Sequence, residues 1–196
     1  MRLKIVQAGE SVLRVPAVAL TPDDVRSEAV QQLIASMWDT LRDAPGVGLA
    51  APQIGLGVQL AVIEDRAEYQ ASVPAEVLRD RERSPVPFHV IVNPQLTLLD
   101  DDAVEHFEGC LSVSGFSALV PRARRVRVDC LDEQGEPRVI EASGWYARIL
   151  QHEIDHLAGT LYIDRMWPRS FMTVENLSRY WSSRPVADVR AGLDIT

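Results

Sequence analysis

QHEIDHLAG, residues 151–159, holds two histidines four positions apart, a glutamate beside the first and a terminal glycine. On a helix, positions i and i+4 stack on one face, so His152 and His156 can turn both imidazoles toward one metal ion, with Glu153 next to them. Following the same periodicity upstream, Trp145, Arg148, Ile149, His152 and His156 share that face, and its partly apolar character predicts burial. Ser143 is the expected cap and Gly159 the expected stop of this helix. HExxH also arises by chance on exposed helices with two solvated histidines; the apolar face argues against that reading here.

The 196 residues, 46% of them hydrophobic, suffice for one core and predict a single domain over 1–196. A formal charge of -8 argues against a protein that reads nucleic acid through its phosphates. The N-terminus has one short apolar run broken by Gln7, Gly9 and Glu10, with no export signal and no membrane-spanning length, so a soluble cytoplasmic protein is expected. Cys110 and Cys130 do not make a disulfide framework. Cys130 alternates with Val126 and Val128 and reads as core. His89 and His106 read as ordinary.

Thr21-Pro22-Asp23-Asp24 is a helix start, and the apolar spacing that follows predicts one long N-terminal helix to about Arg42, stopped by Pro45-Gly46. VQLAVIED (58–65), FHVIVNPQLTLL (88–99) and ARRVRVDCLDEQGEPRVIEA (123–142) predict strands, the last a hairpin turning at Glu133-Gln134-Gly135. The charged, proline-containing segment 66–87 reads as a surface excursion. A short strand LYIDRM, a C-terminal helix around MTVENLSRYW and a patternless tail complete the chain. The expected fold is α+β, with antiparallel sheets packed around the central HExxH helix, a long N-terminal helix and a C-terminal helix.

Two imidazoles are too few for a catalytic metal, and the third ligand decides the chemistry. The HExxHxxGxxH pattern is broken by Tyr162, where its last histidine belongs. A thermolysin-like site could take Glu175 from a later helix. The other option is Cys110 in FEGCLSVSG, which makes a Cys-His-His set with an open fourth position.

PGVGLAAPQ (45–53), EGCLS (108–112) and QHEIDHLAG (151–159) together resemble, in order, the three signature motifs of peptide deformylase, which removes the formyl group from the N-terminal formyl-methionine of nascent chains. The similarity runs from about Leu13 to Met166. VSGFSALVPRARRV and SGWYARILQHEIDH look closer to the organellar-type branch than to the commonest bacterial type, which usually has a proline near Ser114. The N-terminus lacks an Arg- and Ser-rich leader, and a bacterial cytoplasmic enzyme of that branch is the expectation.

The resemblance implies a divalent metal on Cys110, His152 and His156, ferrous iron in the cell, with Zn2+, Ni2+ or Co2+ as stand-ins. It implies Glu153 as general base and acid, and Gln53 and the Leu111 N–H as donors to the developing oxyanion. Gly46, Val47 and Gly48 are expected against the substrate backbone, as an added strand would lie, and Val47, Trp145, Arg148 and Ile149 around the methionine side chain. Arg148 alternatively places its stem on apolar surface and its head in water. Family analogy also pairs Glu108 with Arg122 behind the cysteine. The partners implied are N-formyl-methionyl nascent peptides, without direct nucleic-acid reading or a membrane. A transient ribosome contact through Arg179, Arg184 and Arg190 is the weaker reading of those residues beside a solvated helix face.

Overall fold

The computed structural model describes residues 2–100 and 103–195. Its centre is β2 (Leu60–Asp65), buried along its whole length. It pairs with the short edge strand β1 (Gly48–Ala50) and with β3 (Val86–Leu98), and β6 (Arg125–Leu131) and β7 (Pro137–Ser143) extend the antiparallel sheet in the order β1-β2-β3-β6-β7. Successive side chains of a strand point to opposite faces, so a strand buried on both must be apolar throughout. Ala61 and Ile63 accordingly pack with Leu150 and Leu157 of the HExxH helix, while Leu60 and Val62 pack with Ile34, Met37 and Leu41 of the N-terminal helix. The β6–β7 turn is made by Asp132, whose carboxylate accepts the N–H groups of Gln134 and Glu136, and by Gly135 in the left-handed region at φ 77°.

The expected N-terminal helix is in fact two: α1 (Pro22–Arg26) and α2 (Glu28–Asp43). Ser27 sits at φ -64°, ψ 147° between them. Its hydroxyl donates to the Asp24 carbonyl at 2.6 Å and accepts the Val30 N–H. One side chain therefore closes a turn and caps the next helix, the competition with helix interior that serine side chains offer.

The excursion contains two short helices, α3 (Ala67–Gln70) and α4 (Ala75–Asp80). A second sheet follows, β4 (Ala103–Cys110) and β5 (Val113–Ala123), which the sequence reading missed, with β8 (Met172–Thr173) on its edge. The HExxH helix is α5 (Gly144–Leu157). Ser143 is its N-cap residue but makes no side-chain cap bond; Gly159 ends it at φ 74°, where a Cβ would lie 2.9 Å from the Arg14 carbonyl carbon. LYIDRM is not a strand: Tyr162–Asp164 form a 3-10 turn, because the Asp164 carboxylate takes the Leu161 N–H and both Leu161 and Tyr162 are buried. The last expected helix is α6 (Val174–Asn176) running into a π-helical stretch, Leu177–Trp181, and the tail folds as α7 (Val186–Gly192). Among the described residues no helix is long and apolar enough to cross a membrane.

Candidate active site and metal centre

α5 lies between the two sheets and presents its histidine face to β4. Cys110 ends β4 at a register shift, with Cys110 opposite Val113, so Leu111 and Ser112 form the tight link to β5. The Cys110 thiol and one nitrogen of each of His152 and His156 lie within 4.8 Å of one another, and Cys110 Sγ is 3.3 Å from His156 Nε2. Sulfur and nitrogen ligands of a tetrahedral ion stand roughly 3.5 Å apart, so this donor set fits one borderline-soft divalent cation. Burial lowers the pKa of His156 and the charge of His152 adds to this, which favours the neutral, ligating ring. Glu175 is exposed at the start of α6 and stands outside this group.

Behind the ligands is a buried ionic network. Arg122 clasps Glu108 with two bonds, Nε at 2.9 Å and Nη2 at 3.0 Å, and its Nη1 reaches Asp155. Glu108 Oε2 is 2.9 Å from His152 Nδ1, which leaves His152 Nε2 for the metal side. Burial opposes charge on Glu108, but its bonds to His152 and Arg122 outweigh burial and hold the carboxyl well below the usual range. Burial likewise opposes charge on His152, and the Cys110 and Glu108 partners raise its pKa in spite of it. Arg148 belongs to the same network: Nη1 donates to Glu108 Oε1 at 2.6 Å and to the Val120 carbonyl at 2.9 Å. The arginine is 4% exposed, its head is turned into the protein rather than to water, and the residue borders the cavity. Tyr162, which breaks the HExxHxxGxxH pattern, is buried with its ring 6.3 Å from that of His152.

A cavity of about 540 Å3 opens in front of the three ligands. Gly46, Val47, Gly48, Gln53, Cys110, Leu111, Trp145, Arg148, Ile149, His152 and Glu153 all line it. His156 is behind, 1% exposed. Glu153 is 3% exposed and its Oε2 has no hydrogen-bond partner. Burial pushes its carboxyl up to about 7, with His152 and Arg122 pulling down and Glu108 pushing up. Gln53, which reads as an exposed loop residue if its motif is ignored, is 1% exposed. Its Oε1 accepts the Ala50 N–H at 2.9 Å, and its Nε2 faces Cys110 Sγ at 3.5 Å and Ser112 Oγ at 3.4 Å. Gly48 has no room for a side chain: a Cβ there would stand 2.2 Å from Glu153 Oε1.

The profile of the polypeptide deformylase family matches residues 2–171. The chain belongs to the polypeptide deformylase family. "Peptide deformylase 1" of Bifidobacterium longum is 45% identical over 184 residues, covering 94% of this chain and 82% of the relative. "Peptide deformylase 1A, chloroplastic" of Solanum lycopersicum is 48% identical over 173 residues, 88% of this chain. The chain spans 62% of that plant deformylase and 65% of the corresponding Arabidopsis thaliana deformylase. Among solved structures, a class I type b deformylase from Acinetobacter baumannii with Met-Ala-Ser bound superposes with a TM-score of 0.75 at 30% identity, covering 85% of this chain and 99% of that one.

Several cavity residues carried no sequence signal. Arg83 comes from the excursion and is held by a bidentate pair to the fully buried Asp65, both bonds 2.8 Å. Arg81 and Arg83 lie 4.8 and 5.4 Å from the Trp145 ring, so the excursion frames that side of the cavity. Phe116 and Val174 line the mouth, and Phe116 stacks on Phe171 at 4.8 Å. Of the residues read as bland, Cys130 is core and His89 is satisfied by Tyr146 and Pro87, whereas His106 is buried beside the Trp145 ring. Arg190 is a correction. It is half-buried and bonds Glu105 at 2.5 Å, whereas Arg179 and Arg184 are exposed.

Proposed function

We propose that residues 1–196 form one catalytic domain that hydrolyses the formyl group from N-formyl-methionyl nascent peptides, in the compartment where they are translated. The observation that carries the proposal is the convergence of Cys110, His152 and His156 with the buried carboxylate of Glu153, whose Oε2 has no hydrogen-bond partner, at one end of a peptide-sized cavity. A divalent ion on those three ligands supplies Lewis-acid polarisation and a water of lowered pKa, from about 15.7 to roughly 7 in zinc sites; ferrous iron is the proposed cellular ion, with zinc, nickel or cobalt as substitutes.

The chain's own groups do the rest. Glu153 takes the proton of the attacking water and returns it to the leaving amine nitrogen; a carboxyl raised to about 7 is matched to both tasks. The Gln53 side-chain amide and the Leu111 N–H donate to the oxygen that becomes negative. Glu108 holds the His152 ring, and Arg122 and Arg148 hold Glu108. β1 is a sheet edge that borders the cavity, so the substrate backbone can join it as a further strand while Val47, Trp145 and Ile149 surround the methionine side chain. The exposed Arg179 and Arg184 are the residues available for a transient ribosome contact.

The test is formate release from a short formyl-Met peptide by protein purified without oxygen and loaded with ferrous iron or nickel, beside Glu153→Ala. Release is expected from the parent chain, and the variant should keep its metal while losing about 10²–10⁴ in rate. A folded, metal-loaded parent that releases no formate sinks the proposal.

A further inference from the structure

Three consecutive N-terminal residues outside every motif reach the two segments that carry the proposed oxyanion donors. Val6 N–H donates to the Gln53 carbonyl at 2.8 Å, and Ala8 N–H to the Ser112 carbonyl at 2.7 Å. Between them, Gln7 uses both ends of its amide: Nε2 donates to the Leu111 carbonyl at 2.9 Å and Oε1 accepts the Ser114 N–H at 3.3 Å. The loop it spans is the irregular link from Cys110 to Val113, where regular strand pairing is lost. Nothing else holds the Leu111 carbonyl among the bonds found for the described residues.

We infer that Gln7 is a positioning residue: its side-chain amide fixes the Leu111–Ser114 loop, and with it the Leu111 N–H, relative to Gln53. The inference rests on the deformylase reading above. Its physical basis is the exposure of Gln7. An exposed side chain fills no core, so its removal leaves no cavity and little stability is at stake; what changes is the freedom of a loop tethered at both ends by one planar group. A donor displaced by a fraction of an ångström acts less strongly on charge that develops only in the transition state, so the loss belongs in kcat.

The experiment compares the iron- or nickel-loaded parent with Gln7→Ala and the isosteric Gln7→Glu, which keeps the acceptor for Ser114 but loses the donor to Leu111. Both variants should lose about three- to tenfold in kcat, with KM within twofold, one metal per chain and an unchanged melting temperature. Amide exchange over residues 110–114 should quicken in both, a readout that needs no turnover. Unchanged kcat and unchanged exchange in Gln7→Ala overturn the positioning role while leaving the deformylase reading standing. Absence of formate from the parent overturns that reading, and the catalytic half of this inference with it. A lowered melting temperature with kcat intact reduces Gln7 to a structural tie.

Discussion

Glycine 48 and glutamate 153 define each other. The carboxylate occupies the space that any side chain at position 48 would claim, with 2.2 Å between Glu153 Oε1 and an added Cβ. The contact extends past the carboxylate to Glu153 Cγ at 2.8 Å, so turning the tip alone does not relieve it. Gly48→Ala is expected to displace the carboxylate and lower kcat/KM by at least about 100-fold, since acid–base catalysis by a positioned group contributes on that scale. Steady-state formate release, with circular dichroism to confirm folding, checks this; activity within tenfold of the parent would show that the backbone yields instead.

Between elements, the decisive contact is the charged network that joins β4, β5 and α5. Glu108, Arg122 and Arg148 have side chains 3–5% exposed, and Asp155 adds a second carboxylate beside Arg122. Removing Arg122 takes two bonds from Glu108 and one from Asp155 and leaves Arg148 and Arg165 to hold the buried carboxylates, so Arg122→Ala is expected to cost up to about 3–5 kcal/mol of unfolding free energy. It should also weaken metal binding by about 10- to 100-fold through the loosened Glu108–His152 bond. Urea denaturation and a metal-competition titration measure the two losses; metal affinity and stability both at parent values would refute the coupling. A separate device sits where β4 meets the start of α5. Burial, with Arg148 and Arg81 nearby, pushes His106 down to about 4, against weaker opposing pulls from Asp80 and Glu108. The unfolded chain binds that proton near pH 6.5 and the folded chain refuses it until about pH 4, so stability falls as pH drops through this window and levels off below it. His106→Gln should therefore lose less stability than the parent between pH 7 and pH 5. Equal losses in the two proteins would remove His106 from the account.

Across the whole molecule, the C-terminal segment is tied back to the second sheet. Glu105 on β4 accepts from Trp167 Nε1 at 2.8 Å and pairs with Arg190 on α7, whose guanidinium lies 5.0 Å from the Trp167 ring. Arg190→Ala is expected to lower stability by about 1 kcal/mol, the scale of a partly exposed ion pair with a ring contact, and to quicken proteolysis near Ser182–Arg184. Limited proteolysis and thermal melts test it; an unchanged cleavage rate would mean the tail is held by other contacts.

The same scale separates what was legible from what was not. α5 could be placed within a residue or two from its apolar period, and β2, β3 and the β6–β7 hairpin from runs of apolar or alternating residues around Gly135. The three motifs that carry the family resemblance also contain Gln53, Cys110, His152 and Glu153, which line the cavity. β4 and β5 were missed for a physical reason: the inward positions of β4 are His106 and Glu108, polar groups that are buried only because Trp145, Arg122, Arg148 and His152 receive them from elsewhere in the chain. A polar–polar alternation carries no strand signal until those partners are known. The excursion, likewise, gave no hint that Arg83 reaches the cavity, because its pairing with Asp65 joins residues 18 positions apart. Local spacing settled the two histidines, since helix geometry alone aligns i with i+4, but left the third ligand open between Glu175 and Cys110. Only the tertiary structure decided that Glu153 is dry, that Gln53 is inside, and that Arg148 turns its charge toward Glu108, because burial and long-range pairing are properties of the packed chain.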